Sequence, residues 1–156
     1  MITNCEKSIR LALFQPDLAP NVGMVIRTCA CLGLPLDVIE PCGFPFSLGA
    51  VRSRALDYAA HAEIAHHASW TQFEMAREGR LVAMTTRSTS DLWDFSFRAG
   101  DVLLIGRESA GLPEEVHEAA DARLRIPMKD GVRSLNMAMS AAIAGAEALR
   151  QLRVAV

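Results

Sequence analysis

The chain has 156 residues, 51% hydrophobic and 22% charged, with a mean hydropathy of +0.18. That is the length of one ordinary domain with enough apolar mass to bury a real core, which excludes a disordered chain. Lysine and arginine number 16 against 18 acidic residues, a formal charge of −2. No global basic field exists, so any nucleic-acid binding must use a local patch.

Residues 1–8 carry Glu6 and Lys7 ahead of a very short apolar run. They do not read as a signal peptide and are expected to be flexible. Residues 9–14 read as a strand. Pro20 and Asn21 open a helix that runs to Leu32, with Asn21 a good N-cap and Gly33 the stop. A second strand covers 36–40, a short helix 48–56 and a weak strand 62–66. Ser69 caps a helix to Gly79, and 81–85 is a strand. The polar stretch 87–99 reads as a loop. A strong buried strand covers 101–106, a short helix 113–119, a short strand 123–126 and the last helix 136–153. Strands alternating with helices over short connections predict an α/β domain with a mainly parallel sheet.

Two helices are unusual. Val22, Met24, Val25, Ile26, Cys29, Ala30, Cys31 and Leu32 cover nearly the whole circumference of the first. Met137, Met139 and the Ala141–Ala146 run do the same for the last. A helix apolar all round is buried on more than one side. One side can meet the sheet, and the other is expected to meet a second subunit in a homodimer.

Several chemistries are excluded or unsupported. Cysteines stand at 5, 29, 31 and 42 with no Cys-x-x-Cys, so they read as reduced thiols rather than zinc ligands. There is no Gly-x-Gly-x-x-Gly after a strand, no Gly-Lys-Ser/Thr and no Gly-x-Ser-x-Gly. His66 and His67 sit side by side on a strand end, where their side chains point apart. No metal is expected. The longest charge-free stretch, 134–146, is too short to cross a bilayer, so a soluble, cytoplasmic protein is expected.

Three segments keep polar groups where an apolar domain has little need of them. The first is Pro20-Asn21-Val-Gly23-Met-Val-Ile-Arg27. Arg27 lies among apolar neighbours and must either pair with a carboxylate or point into a site. The second is Leu103-Leu-Ile-Gly106-Arg-Glu108-Ser-Ala-Gly111-Leu-Pro113, a buried strand running into a glycine turn with a charged pair. Open α/β sheets bind ligands outside the carboxyl ends of strands. The third is Ile126-Pro127-Met128-Lys-Asp-Gly131-Val-Arg133-Ser134-Leu-Asn136, a loop entering the last helix. Ser134 or Asn136 can cap that helix, yet Lys129 and Arg133 in the same loop suggest more than capping.

In this order and spacing the three segments resemble the signature motifs of the SPOUT superfamily of RNA methyltransferases (SpoU/TrmH group). Further matches are Ile39-Glu40-Pro41-x-Gly43-Phe44, Leu56-Asp57-Tyr58 and Thr85-Thr86, and the likeness covers residues 9 to 153. Within that superfamily the chain is most similar to enzymes that methylate the ribose 2′-hydroxyl of cytidine or uridine 34, the wobble nucleotide of tRNA.

The resemblance implies one Rossmann-like domain over 1–156, a C-terminal deep trefoil knot, no separate RNA-binding domain and a homodimer through the first and last helices. It implies S-adenosylmethionine as cofactor, contacted by Met84, Gly106, Ile126, Ser134 and Leu135, with S-adenosylhomocysteine as product. It implies the anticodon loop of tRNA as partner, and neither DNA nor membrane. Arg27 would be the catalytic arginine, helped by Asn21, Glu108, Ser134 and Asn136. A guanidinium keeps its proton at neutral pH, so its expected role is to bind RNA phosphate and steady a developing alkoxide. Candidate RNA contacts are Arg52, Arg54, Arg87, Lys129, Arg133, Arg150 and Arg153. The chain departs from the usual pattern at Arg107 (for proline), Ser109-Ala110 (for Thr-Arg), Ser88 (for glycine) and Ala146 (for an aromatic), changes that bear on RNA contact. A related enzyme acting on another tRNA or rRNA ribose, or a non-catalytic RNA-binding dimer, stays open at this point.

Overall fold

The computed structural model describes residues 8–54 and 56–152. Six strands are found: β1 (Arg10–Phe14), β2 (Leu36–Ile39), β3 (Ile64–His67), β4 (Leu81–Met84), β5 (Val102–Ile105) and β6 (Ala122–Leu124). They form one sheet in the order β3-β2-β1-β5-β4-β6, and every pairing is parallel. Parallel sheets are covered on both faces, so their strands read as continuous apolar runs. β2, β4 and β5 are buried at every residue.

Five helices supply the cover: α1 (Ala19–Leu32), α2 (Leu48–Arg54), α3 (Trp70–Ala76), α4 (Glu114–Ala119) and α5 (Met137–Leu152). Strand alternation divides the core in two. On one face Leu11, Leu13, Leu36, Val38, Leu103 and Ile105 pack with Val22, Val25 and Ile26 of α1 and Ala141, Ala144 and Ala148 of α5. On the other, Ala12, Phe14, Ala83, Val102 and Leu104 pack with Phe73 of α3 and Val116 of α4. α5 comes close because residue 145 is glycine. A Cβ there would stand 3.1 Å from Leu34 Cδ1 and 3.8 Å from Leu11 Cδ1.

Element boundaries differ from the sequence expectation in places with local causes. Helix α1 begins at Ala19, with Leu18 rather than Asn21 at the N-cap, and ends as expected at Gly33, whose φ of 65° suits glycine. The helix expected over 48–56 stops at Arg54, and a 3-10 turn, Leu56–His61, follows. Ser69 does cap α3, its Oγ accepting from Gln72 N at 3.2 Å, but α3 stops at Ala76. Gly79 then turns the chain at φ 85° against the backbone of Gly100. The loop over 87–99 holds a 3-10 turn, Leu92–Asp94, anchored by the buried side chains of Leu92 and Phe97.

Two carboxylates buried in the sheet layer are paired, as burial of charge demands. Asp37 accepts from Arg10 Nε at 2.9 Å and lies 2.8 Å from His67 Nε2. Asp101 accepts from Arg80 Nη2 at 2.7 Å. His66 takes a different partner, Glu40, at 2.9 Å, so the two histidines do point apart. Ser8, expected in the flexible end, is buried, and its carbonyl accepts from Gly100 N at 2.9 Å; residues 1–7 lie outside the described residues.

The chain runs outward from β1 to β2 and β3, then returns to lay β5 and β4 on the other side of β1. The order therefore reverses between β1 and β5, the place where open α/β sheets make a crevice. Gly145→Val is expected to lower stability by about 1–3 kcal/mol, the usual cost of overpacking, without shifting the strands. Denaturant unfolding with a circular dichroism readout measures it.

Candidate active site

The site grows from the turn after β5. Gly106 leaves the strand, and the backbone doubles back so that Arg107 N donates to Gly111 O at 3.2 Å and Gly111 N to Arg107 O at 2.9 Å. A Cβ on residue 106 would stand 2.7 Å from the Gly111 carbonyl carbon, so glycine is required for this close return. The turn presents Glu108 toward the start of α1. Its carboxylate accepts from Asp17 N at 2.6 Å, Leu18 N at 3.3 Å and Asn21 Nδ2 at 3.0 Å. Orphan N–H groups near a helix start favour a carboxylate, and here it comes from a different part of the chain.

The opposite carboxylate returns the contact. Asp17 accepts from Ser109 N at 2.8 Å and from Arg107 Nη2 at 3.0 Å. The hydrogen bonds from Ser109, then the Arg107 guanidinium, hold the Asp17 carboxyl below the usual carboxylate range against the opposing effect of burial. Arg107, the unusual residue at this position, is thus a tie between the two loops. Its Nε is buried without a hydrogen-bond partner.

From Asn21 the network continues into the last motif. Asn136 Nδ2 donates to Asn21 Oδ1 at 3.1 Å. Asn136 Oδ1 accepts from Ala138 N at 2.8 Å and Met139 N at 3.3 Å, so Asn136 rather than Ser134 caps α5. Asn21 has the residue type of a helix cap, but its side chain instead bridges Glu108 to Asn136.

These groups surround a cavity of about 540 Å³ at the carboxyl ends of β4 and β5. Asn21, Met84, Gly106, Glu108, Ile126, Ser134, Leu135 and Asn136 all line it. So do Ile105, Leu112, Met128 and Arg133, giving apolar walls with a polar edge. Such a mixture and volume suit a small organic cofactor. Ser134 and Leu135 are exposed on its rim.

Arg27 is not among the lining residues. It is exposed on α1 and, among the described residues, paired with neither of the partners expected, a carboxylate or the cavity. Its Nη2 donates to Tyr58 Oη at 3.4 Å, and its guanidinium carbon lies 4.6 Å from the centre of the Tyr58 ring.

The remaining groups narrow the chemistry. Burial and the carboxylates of Glu40 and Glu108 push the Cys42 thiol up to about 12, so this cysteine stays protonated and is no nucleophile. Among the described residues no three of His, Cys, Asp and Glu gather to hold a metal. No helix of the described residues is long and apolar enough to cross a membrane.

Of the basic residues singled out in the sequence, Arg87 pairs with Glu114 at 3.1 Å and Arg150 with Glu147 at 2.8 Å. Lys129 and Arg133 are exposed on the loop before α5. Arg52 and Arg54 lie on α2, and Arg153 lies outside the described residues. The sequence marks Tyr58 only within the Leu56-Asp57-Tyr58 match and gives no sign that it partners Arg27, and it gives none that Asp17 partners the glycine turn. Both contacts join residues far apart in the chain.

Comparison with known proteins bears on these motifs. The SpoU rRNA Methylase family matches residues 8–146. A tRNA (cytidine(34)-2′-O)-methyltransferase of Ancylobacter novellus is 50% identical over 147 residues, 92% of this chain and 93% of that protein. A solved structure concerned with 2-OH methylation of C/U34 on tRNA is 42% identical, with a TM-score of 0.87, over 94% of this chain and 97% of that one. An AdoMet-bound rRNA methyltransferase from Sinorhizobium meliloti is 31% identical, with a TM-score of 0.81, over 94% of this chain and 57% of that one.

Asp17→Asn is expected to cost stability near neutral pH. The folded-state value of Asp17 is depressed, so its contribution is present above the unfolded carboxylate range near 4 and fades as pH falls through the folded value. Thermal unfolding over a pH series should separate the variant from the parent at pH 7, and the gap should narrow as the pH falls below the unfolded carboxylate range near 4.

Proposed function

The chain belongs to the SpoU rRNA methylase family, and from that premise we propose that it transfers a methyl group from S-adenosylmethionine to the ribose 2′-hydroxyl of nucleotide 34 in tRNA. The observation that carries this reading is the polar edge of the cavity, where Glu108, Asn21 and Asn136 form one continuous chain of hydrogen bonds. The names of relatives such as the Ancylobacter novellus protein support position 34.

When bound, S-adenosylmethionine supplies the methyl group from a sulfonium, and one proton is released. The protein's own task is alignment and charge handling. Met84, Gly106, Ile126, Ser134 and Leu135 would hold the cofactor, since their cavity combines apolar walls with a glycine backbone. Glu108 fixes which side of the Asn21 amide carries nitrogen, and Asn21 in turn fixes Asn136. Each amide keeps one N–H outside the described hydrogen bonds, a donor suited to a ribose oxygen. Ser134 offers a hydroxyl at the rim.

Arg27 would bind the RNA phosphate and stabilise negative charge growing on the 2′-oxygen, with Tyr58 holding its guanidinium plane. It stands on the outer stripe of α1 between the exposed side chains of Met24 and Cys31. Met24 and Met139 are 48% and 44% exposed, and they extend the apolar surface from α1 to α5. A homodimer across this surface would bury that stripe and set Arg27 at the junction of two subunits. The C-terminal knot is what the SPOUT likeness implies for the loops after β4, β5 and β6, which share one cavity. With tRNA as substrate, we infer a cytoplasmic reaction.

Mass spectrometry of tRNA nucleosides from a deletion strain tests the reading. The 2′-O-methyl mark at nucleotide 34 should vanish, whereas an unchanged nucleotide 34 with a mark missing elsewhere would move the activity to another ribose. Arg27→Lys is expected to lower turnover by about 100-fold with S-adenosylmethionine affinity intact, the scale for losing one oriented donor in a transition state. Single-turnover kinetics together with calorimetry separate the two effects.

A further inference from the structure

A second cavity, of about 520 Å³, adjoins the first. The two share Thr85, Arg87 and His117, and the second touches none of Asn21, Glu108 and Asn136. Its outer wall is the loop over 85–90, leaving the carboxyl end of β4, and the edge strand β6. The reaction described above uses neither.

That wall is built rather than loose. Ser88 Oγ donates to Arg123 O at 2.7 Å and accepts from Ser90 N at 3.0 Å, and Thr85 Oγ1 accepts from Arg87 N at 3.2 Å. The hydroxyls of Thr89 and Ser90 enter no hydrogen bond among the described residues. Arg87, Arg123 and one carboxylate, Asp121, line this cavity. Asp121 accepts from Leu81 N at 2.7 Å and lies 3.8 Å from Arg77 Nη1, which is not part of the lining. Arg87 already has Glu114, but Arg123 is exposed on β6 with no ion pair among the described residues. His117 is buried, and burial, then Arg87 and Arg123, push its imidazole down, so it is neutral and the guanidiniums supply the positive charge.

A guanidinium without a carboxylate, beside free hydroxyls, is a site for a tetrahedral oxyanion. Its place beside the methyl-transfer cavity makes the substrate strand the source of that anion. Just beyond the rim, the 3-10 turn Leu92–Asp94 exposes Trp93 by 51%, a stacking face for an unpaired base. We propose that this cavity holds a backbone phosphate of the RNA substrate, outside the nucleotide that is methylated, with Arg123 as its principal cation. The proposal rests on the reading that the chain acts on tRNA.

The test is tRNA binding at a series of salt concentrations, with steady-state kinetics, for the parent protein, Arg123→Ala, Arg123→Lys and, as a surface control, Arg98→Ala. Arg123→Ala should raise KM for tRNA several-fold, leave kcat within about twofold and leave S-adenosylmethionine affinity unchanged. The slope of log affinity against log salt should become shallower by about 0.7 to 0.9, the equivalent of one phosphate contact. Arg123→Lys should keep the parent slope, and so should Arg98→Ala. A parent protein that binds tRNA, with Arg123→Ala unaltered or matched by Arg98→Ala, overturns this pocket alone. A parent protein that binds no tRNA overturns the pocket together with the tRNA reading.

Discussion

One carboxylate holds the site together. Glu108 stands where β5 ends, and it accepts from the backbone of Asp17 and Leu18 and from the amide of Asn21. Those donors belong to the start of α1, some 90 positions earlier in the chain. A charge-assisted hydrogen bond is worth more than a neutral one, and three converge on one group. Asp17 answers from the other side through Ser109 and Arg107. Through Asn21 the same constraint reaches Asn136 and so sets where α5 begins. Loosening this carboxylate would free all three loops that edge the cavity.

The sheet decides where this can happen. The strand order reverses between β1 and β5, so the loops after these strands part and leave a crevice. Apolar packing of α1 and α5 on the same face carries Asn21 and Asn136 to one side of it. The exposed outer stripe of those helices, with Arg27 in its middle, is the complementary feature. The proposed dimer explains why an arginine credited with the chemistry stands outside the cavity of its own subunit.

Much of this was legible in the sequence because it is local or periodic. Buried parallel strands read as unbroken apolar runs, and Gly33 and Ser69 bound helices by their own backbone chemistry. The three motifs were visible as polar groups in apolar surroundings, and they do converge on one cavity. What could not be read was pairing across the chain. Asn21 has the residue type of an N-cap, and only the fold shows that Glu108 takes its amide instead. Arg27 has the surroundings of a residue aimed at a ligand, yet the 3-10 turn after α2 brings Tyr58 beneath it. Arg123 is not among the basic residues singled out in the sequence, and only the fold sets the loop after β4 against its backbone.

Calorimetry of S-adenosylmethionine binding to Glu108→Gln tests the central claim most directly. The glutamine amide is isosteric with the carboxylate but must turn an N–H₂ toward at least one of the N–H donors. With circular dichroism showing an intact fold, affinity should fall by about tenfold or more, the scale of one lost charge-assisted hydrogen bond. Undiminished affinity in a folded variant would contradict the claim that this carboxylate holds the cavity in its binding form.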